Sequence, residues 1–304
     1  MFKKTLIAAA VATMASSVAM ADVKIGGKVE QQQQKSEAGE WSGWSDVRLT
    51  VSGDEDLGNG MSAFFKFQDE MGLRTGAGAQ QYDQLVGLKS SAGTLIMGKV
   101  EDFTESKVMS MTDKTMGAGG VEIGANLGRN EGAIAYVSPS FSGLTVGVAG
   151  YALSDSGGDQ DAFDAVDLGL MYSNGPLSVN VSFENDKRAA TAAFHSGDSK
   201  SIGASYAMGD MTVAATFQTT EFDTAGKADE DDTSIALTYA MGNNKLVLGW
   251  NDNETSAAAV VTDTNSNVIE LQHSFSKHTA AYVNFYNSDV ADADTTSFGL
   301  QHTF

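Results

Sequence analysis

From about residue 22 to residue 304 the chain keeps returning to a period of two. In LSVNVSFEND (177–186), Leu177, Val179, Val181 and Phe183 alternate with Ser178, Asn180, Ser182 and Glu184. MTVAATFQTTE (211–221) sets Met211, Val213, Ala215 and Phe217 against Thr212, Thr216, Gln218 and Thr220, and TSIALTYAMG (233–242) and NVIELQHSF (267–275) follow the same rule. This is the side-chain period of a β-strand, with one apolar and one polar face. One such segment is weak evidence, but the same pattern repeated along the whole chain predicts an all-strand protein.

The connections alternate in length. Short ones fall at 90–93, 139–143, 173–176, 208–210, 241–244 and 276–278, with DEDLGNG (54–60) slightly longer; long ones fall at 153–162, 187–199, 222–231, 254–265 and 289–294. Short turns on one side and long loops on the other describe an up-and-down meander of hairpins. Sixteen strands are predicted, from near Val23 to Phe304, an even count that brings both ends to the short-turn side. At the end of the chain, Phe298, Leu300, His302 and Phe304 share one parity. An apolar last residue in register predicts a terminal strand paired on both sides and facing an oily medium.

Which face meets water decides the fold. A soluble sandwich would turn the apolar parity inward and leave sheet edges to hide. A membrane barrel turns it outward to lipid, keeps the polar parity around an aqueous bore and pairs every backbone group by closure. Tyr136, Tyr172, Tyr206 and Tyr239 all sit on the apolar parity just before a short turn, where an interfacial girdle belongs. Residues 1–21 carry Lys3 and Lys4, an apolar stretch from Leu6 to Ala12 and the closing Ala19-Met20-Ala21, the pattern of a secretory signal cleaved after Ala21. No other segment approaches the roughly 18 to 20 apolar residues of a membrane helix. The expectation is therefore a signal peptide (1–21) and a transmembrane antiparallel β-barrel (22–304). Cysteine is absent, which excludes disulfides and thiolate metal sites. Removal of Lys3 and Lys4 leaves 17 basic against 39 acidic residues, a formal charge of −22 that argues against nucleic-acid binding.

The residues also resemble the general diffusion porins of Gram-negative outer membranes. RLTVSGDEDLGNGMSAFFKFQ (48–68) is similar to that family's second strand, turn and third strand through Arg48, Gly53, Glu55, Leu57, Gly58, Gly60 and Phe65. RNEGAIAYVSPSFSGLTVGVAGY (129–151) matches at Arg129, Tyr136, Ser138, Pro139, Phe141 and Gly143, and the aromatic final residue is the third likeness. The resemblance implies a homotrimer of sixteen-stranded barrels in contact with outer-membrane lipid and lipopolysaccharide. It also implies assembly by the barrel-assembly machinery through Phe304, and a third loop, about 100–128, folded into each lumen. Two departures bear on the pore: Gly98-Lys99 stands where the family has Gly-Arg, and Gly132 stands where it has asparagine.

By parity, Lys24, Lys28, Arg48 and Lys66 point into the lumen, with Lys99 at the end of the fifth strand and Arg129 where the third loop rejoins the wall. Across from them the loop offers Glu101, Asp102, Glu105 and Asp113. Cations facing carboxylates would set a transverse field that filters solutes by size and charge. Acidic stretches at 156–161, 228–233 and 289–296 would make the outer mouth negative and the pore weakly cation-preferring. The glycines Gly117, Gly119 and Gly120 suit a tight bend, since no Gly-Lys-Ser/Thr follows them as in a phosphate loop. Asp229 to Asp232 lack the glycine-turned spacing of a calcium loop, so no metal and no cofactor is expected. His195, His273, His278 and His302 have no motif around them, so no catalytic residue is expected. The reading is a water-filled channel for passive diffusion of ions and small hydrophilic solutes, and not an enzyme. The alternative is a non-conducting adhesin or structural barrel.

Overall fold

The computed structural model describes residues 22–72, 80–117, 124, 126–152, 162–187, 197–223, 227–257 and 260–304. The chain begins its sheet with β1 (Lys24–Ser36), β2 (Trp41–Gly58), β3 (Met61–Gly72) and β4 (Gln80–Ser90). Next come β5 (Gly93–Glu101), β6 (Arg129–Val137), β7 (Leu144–Tyr151) and β8 (Ala165–Asn174). The far wall is β9 (Leu177–Asp186), β10 (Gly197–Met208), β11 (Met211–Phe222) and β12 (Asp229–Met241). The last four are β13 (Asn244–Ala257), β14 (Val260–Ser274), β15 (Thr279–Ser288) and β16 (Thr295–Thr303). Every strand pairs antiparallel with its sequence neighbours, and β1 closes onto β16.

Burial divides the two parities as the alternation requires. On β9, Ser182 and Glu184 are buried while Phe183 is exposed; on β16, Ser297 is buried while Phe298 and Leu300 are exposed. Val86, Val148, Ile202, Phe217, Ile235 and Ile269 are likewise exposed, and so are the girdle residues Tyr136, Tyr206 and Tyr239. A closed sheet with an apolar exterior and a polar interior is stable only with hydrocarbon around it. At the short turns, Gly209 and Gly242 have φ of 62° and 61°. Two-residue hairpins need this left-handed conformation, and glycine adopts it without strain. The terminal residue is held as its parity predicts: Phe304 N–H donates to Gly27 O, and Gly27 N–H to Phe304 O, each at 3.0 Å.

The rim differs from expectation. Most of the acidic run 228–233 is strand, not loop: it belongs to β12, and Asp232 is buried and accepts from Asn253 Nδ2 at 2.7 Å. The stretch 254–265 is largely strand too, since β13 reaches Ala257 and β14 starts at Val260. Strands that rise past the lipid are wet on both faces, so no apolar period marks them. Of 289–296, only the part before Thr295 is loop. The stretch 156–161, together with His195, Gly119 and Gly120, lies outside the described residues.

The inner wall is also not polar throughout. Ala133 and Ala135 of β6, Ala149 and Tyr151 of β7, and Ala165 of β8 cluster with Val100, Phe103 and Leu127. The Phe103 ring lies against two glycines of this wall: a Cβ on Gly147 would stand 2.3 Å from it, and one on Gly169 2.7 Å. Small inward residues thus leave a dry seat for an aromatic ring from another segment. Gly169→Val is expected to unseat Phe103 and lower the unfolding free energy by roughly 1–3 kcal/mol, the usual cost of overpacking. Thermal unfolding in detergent checks this, and an unshifted midpoint would show that the ring is not seated there.

Candidate functional site

Between β5 and β6 the chain leaves the wall and turns inward. A π-helical turn over Thr104–Val108 leads into a 3₁₀ turn over Met109–Met111. Thr104, Val108, Met111 and Thr112 are buried while Lys107 and Ser110 are exposed, so a single helical face meets the wall. Thr104 Oγ1 donates to Ser182 Oγ at 3.0 Å, Thr112 and Thr216 hydroxyls lie 3.2 Å apart, and Asn180 Nδ2 donates to Lys107 O at 2.7 Å. Farther along, Met116 and Gly117 N–H groups donate to the two oxygens of Glu270 at 2.8 and 2.9 Å, and Gln272 Nε2 donates to Lys114 O at 3.1 Å. All these wall residues belong to the inward parity, so the segment runs along the inner surface from β8 to β14.

The segment is anchored at both of its ends. Phe103 N–H donates to Asp167 Oδ2 at 2.6 Å, and Glu105 N–H donates to Asp102 Oδ1 at 2.6 Å. On the return, Leu127 N–H donates to Glu184 Oε2 at 3.2 Å and Gly128 N–H donates to Asp102 Oδ2. Asp102 is fully buried. Burial and the neighbouring Glu184 carboxylate push its carboxyl well above the usual range.

On the opposite wall lies a ladder of charges. Lys28 Nζ sits 2.7 Å from Asp46 and 3.1 Å from Glu30. Arg48 Nη2 reaches Glu70 at 2.6 Å, and Lys66 Nζ reaches Asp83 at 2.7 Å. Arg129 joins wall to segment: it pairs with Glu101, lies 3.4 Å from Glu105 and 3.4 Å from Asp83. The Arg48 and Arg129 guanidinium groups lie over the Tyr82 ring, 3.9 and 4.1 Å from its centroid.

A β-bulge makes this arrangement possible. Tyr82 and Asp83 of β4 together face the single Gln68 of β3, so two successive side chains turn inward where strict alternation allows one. Tyr82, Asp83, Glu70 and Asp46 are not among the residues predicted from sequence. Register alone could have supplied one of their contacts, because Arg48 pairs directly with Glu70 across the sheet. The bulge left no such signal.

The ladder brings together Lys28, Arg48, Lys66, Arg129, Glu101 and Glu105. Other predicted residues fall elsewhere. Asp102 is buried under the segment instead of lining the bore. Lys24, with a side chain 68% exposed, pairs with Asp22 at 3.7 Å on the short-turn side. Lys99 is half-buried at the strand end, 3.8 Å from Glu131, and Asp113 is exposed on the segment. His273 and His302 meet Asn244 and Thr279 at 2.8 and 2.9 Å.

The cations therefore do not face the carboxylates across an open gap. Most pair with carboxylates of their own wall, and among the described residues only Arg129 crosses to the segment.

Comparison with known proteins places this architecture. The Gram-negative porin family model matches residues 8–293. Outer membrane porin protein 32 of Delftia acidovorans is 27% identical over 332 positions, covering 98% of this chain and 92% of that protein. An anion-selective porin from Comamonas acidovorans superposes with a TM-score of 0.76 at 20% identity, over 93% of this chain and all of that one. The trimer form of OmpT, an outer membrane protein of Vibrio cholerae, does so with a TM-score of 0.73 at 15% identity, over 93% and 99%. With its closed sixteen-stranded barrel and a family match along most of its length, the chain belongs to the Gram-negative porins, the channel-forming barrels of the outer membrane.

Proposed function

We propose that the barrel is a passive diffusion pore for ions and small hydrophilic solutes, narrowed by the inward segment and weakly selective for cations. The observation that carries this reading is the composition of the ladder. Lys28, Arg48, Lys66 and Arg129 are matched by Glu30, Asp46, Glu70, Asp83, Glu101 and Glu105, so carboxylates outnumber the cations they pair with. A row of ion pairs leaves little bare positive charge for an anion to follow, and the excess is negative. The remaining predicted residues, Lys24, Lys99 and Asp113, contribute to the field at a distance.

Three copies fit the same reading. On the exterior, Gln31 and Gln33 of β1 sit level with Leu300 and Phe298, and Ser45 Oγ donates to Gln31 Oε1 at 2.6 Å. Amides at that depth are costly against lipid but harmless against a neighbouring subunit. Export with loss of residues 1–21 completes the picture, and an exported chain that does not start at Asp22 would count against it.

Planar-bilayer recording tests the proposal. The wild-type reversal potential in a salt gradient should have the sign of a cation-preferring pore, with conductance arriving in triplets. Arg48→Ala leaves Glu70 unpaired beside the path. An unpaired charge a few ångströms away in water is worth about 0.5–1 kcal/mol, so the cation-to-anion ratio should rise roughly two- to fivefold. Anion preference in the wild type, the property named for the Comamonas relative, would overturn the selectivity. No conductance at all would favour a structural barrel, and single steps would remove the trimer.

A further inference from the structure

The anchor of the inward segment has more negative charge than its neighbours can balance. Asp102, Asp167 and Glu184 each bring a carboxylate oxygen within 4.8 Å of the other two, and all three are buried, at 0, 1 and 5% exposure. Among the described residues, no lysine or arginine forms an ion pair with any of them. Three carboxylates this close in a dry site must either keep a proton or meet a countercharge.

Two oxygens at the same place, one of them on Glu184 itself, have no hydrogen-bond partner. The Tyr151 hydroxyl is completely buried, has no hydrogen-bond partner, and lies within electrostatic reach of Asp102, Asp167 and Glu184. Glu184 Oε1 is buried and also without a partner. A buried hydroxyl and a buried carboxylate oxygen do not stay unmet without cost.

We infer that Asp102, Asp167, Glu184 and Tyr151 form a divalent-cation site, with Ca²⁺ the fitting ion, that clamps both ends of the inward segment to β8 and β9. All the donors are oxygens, which selects a hard cation. Ca²⁺ holds oxygens at about 2.3–2.6 Å, so ligands on opposite sides of it stand up to roughly 5 Å apart. The observed spacing fits within that shell. Mg²⁺ needs a tighter octahedron and keeps several waters, which a seat lined by Val100, Phe103 and Leu127 does not offer. The N–H groups of Phe103, Glu105, Leu127 and Gly128, with the Ser182 hydroxyl at 2.9 Å from Asp167, already orient the carboxylates as an outer shell does. The site is independent of which ions the pore prefers.

Refolded full-length protein in detergent, stripped with EDTA and dialysed against Ca²⁺, tests the assignment by elemental analysis. One ion per chain should remain after extensive dialysis. Asp167→Asn and Glu184→Gln should lose it, while Asp229→Asn combined with Asp231→Asn, on the rim, should keep it. Tyr151→Phe, which removes only the hydroxyl, should weaken binding by about tenfold and lower Tb³⁺ luminescence sensitised by that ring. If the amide variants do not fold, wild-type stoichiometry and Tyr151→Phe decide the matter. A wild type that retains no ion, or retention that Asp167→Asn and Glu184→Gln leave unchanged, would overturn the site and leave protons as the countercharge.

Discussion

Glu270→Ala is expected to give a larger and noisier single-channel conductance than the wild type. Glu270 is fully buried on β14 and accepts four hydrogen bonds: from Met116 N–H, Gly117 N–H, Gln272 Nε2 at 2.6 Å and Asn284 Nδ2 at 3.0 Å. It is the point where the far part of the inward segment is tied to the wall. Hydrogen bonds to a charged group contribute about 1.5–3 kcal/mol each, and donors stranded in a buried site add their desolvation cost. Even with strong non-additivity, the loss should reach about 3 kcal/mol. That is enough to release the segment near Gly117, whose backbone lies close against Tyr282, Ser297 and Asn284. Glu270→Gln separates volume from chemistry. Its single acceptor oxygen cannot serve all four donors, and its own NH₂ faces other N–H groups, so an intermediate phenotype is expected. Conductance and current noise identical to wild type in Glu270→Ala would mean that the segment is held by something other than this carboxylate.

A charge placed on the exterior should be nearly as damaging, for a different reason. Leu248 is exposed on β13, level with Leu237 and Ile269, midway between Met241 on the short-turn side and Asp252 on the other. Leu248→Arg is expected to cost about 2–4 kcal/mol in the unfolding free energy measured from lipid vesicles, the penalty for arginine near a bilayer midplane. Ser205→Arg, on the inward parity of β10, should change stability by no more than about 0.5 kcal/mol, since its side chain enters water. The comparison checks the orientation of the whole barrel. If Ser205→Arg proved the costlier change, the wet and greasy faces would have to be exchanged.

Much of the barrel can be read directly from the residues. A strand's two faces follow from a local period of two, and register is set when one face must meet lipid. That is why the strand number, the closure of β16 on β1, the girdle tyrosines and the inward positions of Lys28, Arg48 and Lys66 are all visible without coordinates. The rim strands are not, because Asp229 to Asp232 are hydrated on either face and carry no apolar rhythm. Nor is the seat under the inward segment: alanine and glycine alternating with larger apolar residues on β6 to β8 vary in size, not in polarity.

The pore chemistry divides along the same line. The sequence by itself determined the inward face of regular strand positions such as Lys28, Arg48 and Lys66, because that needs only parity. Only the tertiary structure decided their partners. A bulge that turns Tyr82 and Asp83 inward together, a segment that buries Asp102 instead of presenting it to the bore, and a Glu270 that meets Met116 and Gly117 from about 150 positions away all depend on close approach between distant parts of the chain. The physical reason is range: hydrophobic alternation acts between near neighbours, whereas ion pairing and hydrogen bonding are settled within a few ångströms of contacts that exist only after closure.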